Sequence, residues 1–149
     1  MNNKYVIIGS GIAGLSAAKA IREADGTAVI DIFTAENNLP YSRPMLTKSP
    51  FMNFDPANWT IYTNSWFESN NISFHPATRI VGADINKKTV FCDSNAYPYD
   101  KLIVACGAES FVPPILGAQS EGVFTIRRSE DIFRIKKACK DSKSAVVIG

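Results

Sequence analysis

The sequence is poor in the residues that staple or metallate small proteins. Of 149 residues only three are cysteine, Cys92, Cys106 and Cys139, with no C-x-x-C spacing, and His75 is the single histidine. That set suits neither a disulfide framework nor a metal site. The thiols read as reduced, which sets the expectation of a cytoplasmic location, and His75, ahead of Pro76, reads as a surface or structural residue. Charge of one sign is lacking too: 16 Lys and Arg less 14 Asp and Glu leave +2, too little to draw a nucleic acid or an acidic membrane face. Trp59, Trp66 and the nine phenylalanines have no interleaved basic residues for stacking on bases. No run reaches the roughly 18 apolar residues that cross a bilayer, and there is no repeat or low-complexity segment. The expected partners therefore include neither nucleic acid nor membrane.

What remains is ordinary globular material, 46% hydrophobic and 20% charged, which excludes disorder and collagen-like architectures and suffices for about one core. Lys4, the apolar run Tyr5 to Leu15 and then Ala18-Lys19-Ala20 imitate a signal peptide. Three glycines interrupt that run at a spacing with its own chemistry, so the run is assigned to the fold instead.

Tyr5-Val6-Ile7-Ile8 is a β-branched run ended by glycine, the pattern of a strand buried on both faces. From Ile12 to Ala24 the apolar residues Ile12, Leu15, Ala18 and Ile21 recur at helical spacing, and Asp25-Gly26 ends the helix. Ala28 to Phe33 returns to strand character, completing a β-α-β unit, so the fold class is α/β with a parallel sheet. Asn37 to Asp55, broken by Pro40, Pro44 and Pro50, predicts a loop with one short helix, and a second short helix surrounds Trp66. Strands are expected at Ile72 to Phe74, at Thr78 to Asp84 with Thr89 to Cys92 as an antiparallel hairpin, at Tyr97 to Tyr99, and at Lys101 to Gly107. Ser129 to Lys140 predicts a helix with Ile132, Phe133, Ile135 and Ala138 on its buried side. Ala145 to Gly149 repeats the pattern of Val6 to Gly9 and predicts one further strand.

Gly9, Gly11 and Gly14 form G-x-G-x-x-G between the first strand and its helix. That spacing lets the backbone turn tightly, approach a pyrophosphate and pack helix on sheet. The first amides of the helix lack intrahelical partners and sit at the positive end of its dipole, so a pyrophosphate is held there without a lysine. Glu36 follows Gly14 by 36 minus 14, or 22, positions, where an acid accepts the hydroxyls of an adenosine ribose. Asp31 competes for that role but stands in mid-strand. Arg43 and Lys48 place two cations in the proline-stiffened loop Tyr41 to Lys48.

Leu39-Pro40-Tyr41-Ser42-Arg43-Pro44-Met45-Leu46-Thr47-Lys48, Ala105-Cys106-Gly107-Ala108, Thr125-Ile126-Arg127 with Glu130-Asp131, and Val146 to Gly149 together resemble the FAD domain of pyridine nucleotide-disulfide oxidoreductase-like flavoproteins. The rubredoxin reductase and nitrite reductase large-subunit branch looks nearest, and the resemblance covers essentially the whole chain. It implies a Rossmann-like FAD-binding domain with an antiparallel hairpin or meander insertion over residues 1–142, truncated at the first strand of a nicotinamide domain at 143–149. By the same resemblance the segment Gly9, Gly11, Ile12, Ala13 and Gly14 binds the FAD pyrophosphate and Glu36 the ribose. Arg43 and Lys48 would run toward the flavin ring, with Lys48 as the catalytic candidate. The backbone of Ile80 would meet adenine, and Ala105 and Gly107 would let the second crossover come close. Arg127 matches a family arginine. Family members carry electrons from NAD(P)H, bound by a domain absent here, through FAD to a small redox protein or a fused redox domain, and homo-oligomers are compatible with this reading.

Two departures from the family pattern are Cys106, where threonine is usual, and Thr47 in place of serine; neither removes a charge. No second cysteine stands at a resolving distance from Cys106, which is expected to be a small buried residue. The C-x4-C pair of disulfide-reducing relatives and the single loop cysteine of peroxidase-like ones are both missing, which favours direct electron transfer from flavin to acceptor. A non-catalytic adenine-nucleotide module and an NAD-only Rossmann dehydrogenase remain open; the second gives Arg43 and Lys48 no role. On the family pattern these 149 residues alone should hold FAD weakly or not at all and should not turn over NAD(P)H. Titration of the purified chain with FAD, read by flavin fluorescence, checks this, and a sub-micromolar Kd would contradict it.

Overall fold

The β-branched runs flagged in the sequence form a parallel sheet: β1 (Lys4–Ile8), β2 (Val29–Phe33), β3 (Ile72–His75) and β7 (Lys101–Val104), in the spatial order β3-β2-β1-β7. The structure, a computed structural model, describes residues 2–48, 53–93 and 95–148. Pro50 and Gly149, both singled out above, lie outside those residues. The chain divides into two compact units, Met1–Tyr41 with Thr60–Gly107 and Ser42–Trp59 with Ala108–Gly149.

In the first unit, β1 pairs with β2 and β7 so that Ile8 stands level with Phe33 and Val104. Three strands thus finish at one edge, the place where open α/β sheets bind ligands. Alternation along β1 sends Ile7 and Val6 to opposite faces. On one face Leu15 and Ala18 of α1 (Ile12–Ala24) pack with Ile7, Ile30, Ile32 and Ile72, joined by Phe67 of a short helix at Asn64–Ser69. Leu15 is fully buried, a site where truncation to alanine costs about 2–5 kcal/mol. On the other face Val6 and Phe33 pack with Val90 and Tyr99. Val90 belongs to the antiparallel meander of β4 (Gly82–Asp84), β5 (Thr89–Cys92) and β6 (Asn95–Pro98).

The end of α1 is held by Arg22. Its guanidinium donates to the carbonyls of Asp25, Gly26 and Ala28 and, across the sheet's lower end, to those of Asn70 and Asn71. Five donors in a fixed fork satisfy carbonyls that a helix end and two turns would otherwise leave to water.

In the second unit, the four-residue helix α2 (Met45–Lys48) and a 3-10 turn at Pro56–Trp59 accompany the longer α4 (Ser129–Cys139), the helix at Asn64–Ser69 being α3. Lys136 of α4 donates its Nζ to the carbonyl of Phe54 at 3.0 Å.

Four expectations are corrected. The strand expected from Thr78 begins only at Gly82, because the Thr78 amide bonds to the carbonyl of Thr34 and Val81 alone reaches across to Phe91. Phe133 is exposed, with Lys136 Nζ 5.7 Å from its ring centroid: it stands about 100° round the helix from the fully buried Ile132. Ile12 is 70% exposed, since the first turn of α1 stands beyond the strand ends. Residues 145–148 form no strand, and Val146, Val147 and Ile148 are exposed; among the described residues no strand pairs with them.

His75 is structural, as expected of one reading. Its ring stacks on Phe33 at 4.4 Å between centroids, and its Nε2 lies 2.8 Å from Asp31 Oδ1. Lys4 Nζ stands 3.6 Å from the other carboxylate oxygen. Burial opposes ionisation of Asp31, but the hydrogen bond to His75 and the charge of Lys4 outweigh it and hold the carboxyl below its ordinary value. A depressed value means stability that is present above the unfolded value of about 3.9 and is lost as pH falls through the folded one. Asp31→Asn should therefore destabilise the chain by about 1–2 kcal/mol near neutral pH. Thermal melts across the acid range should show the gap to wild type closing below about pH 4; a gap that stays constant would remove the ion pair from the account.

Candidate functional site

The turn from β1 into α1 is built where side chains cannot fit. Gly9 has φ +109°, in the region L-residues avoid, and a Cβ there would lie 2.2 Å from the carbonyl oxygen of Ala105. A Cβ on Gly14 would lie 2.0 Å from the carbonyl oxygen of Gly9. Both glycines are thus explained by close packing of turn, helix and β7 exit. Gly11 is different: its φ of −71° suits any residue, and a Cβ would meet nothing within 4 Å. Packing does not require glycine at that position.

Gly11 is the N-cap of α1, no side chain caps the helix, and no acidic residue stands in its first turn. The exposed amides of Ile12 and Ala13 open a helix of 13 residues, at the level where β1, β2 and β7 end. An uncapped helix start, preceded by a residue with open space in place of a side chain, fits a pyrophosphate approaching the backbone.

Ala105 and Gly107 continue from β7 along the same edge. The Ala105 amide bonds to the Ile8 carbonyl at 2.8 Å, just past the end of β7 at Val104, and Gly107 has φ +73°. Cys106 between them is exposed, its Sγ 3.7 Å from the Ile8 carbonyl, which corrects the expectation of a buried thiol. The chain has already left the sheet there, so neither face of the sheet covers the side chain. Ile80 is half-buried and packs against the cluster of Val6, Phe33, Val90 and Tyr99.

Past the end of β2, Glu36 is fixed through its main chain: its amide meets Thr34 Oγ1 at 3.3 Å and its carbonyl accepts from Ala77 at 3.0 Å. Its carboxylate accepts a hydrogen bond from Tyr41 Oη at 2.7 Å. Asp31, the rival acid, is absorbed by His75 and Lys4 inside the sheet. Glu36 therefore remains as the acid at the strand ends.

Arg43, Lys48 and Arg127 lie in the second unit. Arg43 Nη1 donates to the carbonyl of Arg127 at 2.8 Å, a pairing that separations of 84 residues in sequence did not reveal. The amides of Arg127 and Arg128 both donate to Asp131 Oδ2 at 2.8 Å, so the carbonyl that holds Arg43 is itself held by the start of α4. The legible signal was an acid three residues past a helix N-cap. Arg43 and Arg127 line an open cleft of about 310 Å³ with Pro44, Leu46, Thr47 and Ile126. Lys48 ends α2 and is exposed. No group of three or more His, Cys, Asp or Glu able to hold a metal occurs among the described residues.

Residues 3–149 match the family model of the pyridine nucleotide-disulphide oxidoreductases. Among solved structures the chain is similar to an NADH:rubredoxin oxidoreductase from Clostridium acetobutylicum, with 33% identity over 95% of this chain and 36% of that one, TM-score 0.78. It is similar as well to an NAD-dependent persulfide reductase from A. fulgidus, with 30% identity over 93% and 27%, TM-score 0.80. A ferredoxin reductase from Rhodopseudomonas palustris shares 26% identity over 94% and 35%, TM-score 0.81. The chain spans 27% to 36% of the length of these solved proteins.

The two kinds of glycine make opposite predictions. Gly14→Ala should destabilise the chain by upward of about 3 kcal/mol, because backbone meets backbone and cannot yield. Gly11→Ala should change stability by less than about 1 kcal/mol, the difference between those residues at an N-cap. Urea unfolding of both variants decides this, and equal losses would mean that Gly11 too is a packing residue.

Proposed function

Because the chain belongs to the pyridine nucleotide-disulphide oxidoreductase family, we propose that it supplies the FAD-binding part of a flavoprotein reductase. In that protein NAD(P)H gives electrons to FAD, which passes them to a small redox protein or a fused redox domain. The observation that carries the reading is Gly11, a glycine that packing does not need, at the uncapped start of α1. Bound FAD would supply a carrier that takes two electrons as hydride and can release them singly.

The chain's own residues do the holding. The turn Gly9, Gly11, Ile12, Ala13 and Gly14 would bring the first amides of α1 against the diphosphate. Glu36 would accept from the ribose hydroxyls, with the backbone at Ile80 near the adenine. Ala105 and Gly107, small and close to the turn, would keep side chains out of the cofactor's path. Arg43 and Lys48 are cations, so their charge would favour added negative charge on the flavin. Lys48 would also donate a hydrogen bond there, and Arg127 supports this end through the carbonyl that holds Arg43.

Residues 1–142 are assigned to the flavin domain and 143–149 to the opening of a nicotinamide-binding domain, on the likeness of Val146 to Gly149 with Val6 to Gly9. For the electron acceptor, the 33% identity to an NADH:rubredoxin oxidoreductase favours a rubredoxin-like protein, with a nitrite-reducing module as the other candidate. A cytoplasmic setting agrees with three free thiols.

FAD added at millimolar concentration should shift the amide resonances of residues 11–14 in a two-dimensional NMR spectrum of the chain. Gly11→Asp, which puts a carboxylate in front of the helix, should weaken that response about tenfold or more, equivalent to about 1.4 kcal/mol, while leaving the melting temperature in place. FAD-induced shifts of these amides that Gly11→Asp leaves undiminished would overturn the reading.

A further inference from the structure

The hydroxyl of Tyr41 is buried beside the acid on which ribose recognition depends, and nothing in the family pattern used above gives it a task. We propose that Tyr41 is a positioning residue: its hydroxyl aims the Glu36 carboxylate, and thereby sets how strongly the site distinguishes a ribose from a deoxyribose. The inference rests on the reading of Glu36 as the ribose acceptor.

Glutamate is a poor recognition group unless something holds it. Its side chain has three rotatable bonds, and fixing them opposes binding entropically. A carboxylate recognises vicinal hydroxyls only in a defined plane, so a freely rotating one loses both affinity and discrimination. In this chain the carboxylate of Glu36 receives Tyr41 Oη at 2.7 Å, a short bond to an ionisable acceptor. Tyr41 is only 6% exposed. Its main chain is anchored as well: it forms a bridge with Thr60, and the carbonyl of the preceding Pro40 accepts from the Ile61 amide at 2.7 Å. The donor is therefore rigid, and so is the main chain of its acceptor, pinned to Thr34 and Ala77. A carboxylate can accept about four hydrogen bonds, and the one from Tyr41 takes up a single one of these. A tyrosine hydroxyl donates to the acid without adding a charge of its own.

A tyrosine that merely packs would lower affinity for every adenine nucleotide alike. A positioning tyrosine acts on the hydroxyl preference. The test is titration of the chain with ADP and with 2′-deoxy-ADP, followed by NMR, for wild type, Tyr41→Phe, Glu36→Gln and the double variant. Wild type should prefer ADP by about tenfold, Tyr41→Phe should reduce that preference to about twofold or less, and the double variant should be no worse than Glu36→Gln alone. Retention of the full preference in Tyr41→Phe, or independent losses that multiply in the double variant, would overturn the positioning role while leaving the ribose reading in place. A wild-type chain that binds ADP and 2′-deoxy-ADP equally would overturn the ribose reading and the inference together. Should Tyr41→Phe fail to fold by circular dichroism, Tyr41→His, which keeps a planar ring but shortens the donor's reach, carries the same comparison and the same expected loss.

Discussion

The first unit depends on one steric fact: where β1 turns into α1, three stretches of backbone approach closer than a side chain allows. Gly14 lets the helix sit against the carbonyl of Gly9, and Gly9 lets the turn sit against Ala105 at the exit of β7. With those two contacts made, Leu15 and Ala18 come down on Ile7, Ile30 and Ile32, and burial of that apolar surface stabilises the arrangement in proportion to its area. The contacts also aim α1. Its uncapped amides point out at the edge where β1, β2 and β7 finish level. The same contacts thus set both the packing of the turn and the direction of the helix start, and only Gly11 takes no part in them.

The acids on β2 and beyond it show how environment assigns roles. Asp31 and Glu36 have the same chemistry and lie five positions apart. Asp31 points into the sheet and is matched by His75 and Lys4, because a buried carboxylate without a partner would be prohibitive. Glu36 lies past the strand end, half-buried, and accepts from the neutral hydroxyl of Tyr41. In the second unit the same economy appears in cationic form: Arg43 leans on the carbonyl of Arg127, and that carbonyl is ordered by Asp131 capping the first amides of α4. Asp131 thus reaches Arg43 through one peptide group.

Local pattern carried most of the architecture. The period-2 and period-3.6 runs located β1, α1, β2, β3, β5 and α4 to within a residue or two, since each buries a stripe that its own spacing declares. The glycine spacing and Glu36 located the candidate site, since a turn that must lack side chains leaves a mark on the sequence. Failures fell where a neighbour distant in sequence decides. Thr78 to Val81 reads as strand, but the Thr78 amide is taken by Thr34. Phe133 reads as core from its apolarity, though its angle round α4 places it outside. Cys106 reads as buried because small apolar residues usually are, yet it stands beyond the last sheet bond.

The sequence by itself determined the α/β class, the β-α-β unit, the glycine turn and the family, because all of these depend on spacings within a few dozen residues. Tertiary structure decided which glycine is spare, which acid is consumed inside the sheet, and which hydroxyl and carbonyl hold Glu36 and Arg43. Those outcomes depend on contacts such as Gly9 with Ala105, Asp31 with His75 and Arg43 with Arg127, whose partners are far apart along the chain. Only the packing of strands and helices brings such groups within a few ångströms, and at that range sterics and hydrogen bonding choose among residues that composition leaves equivalent.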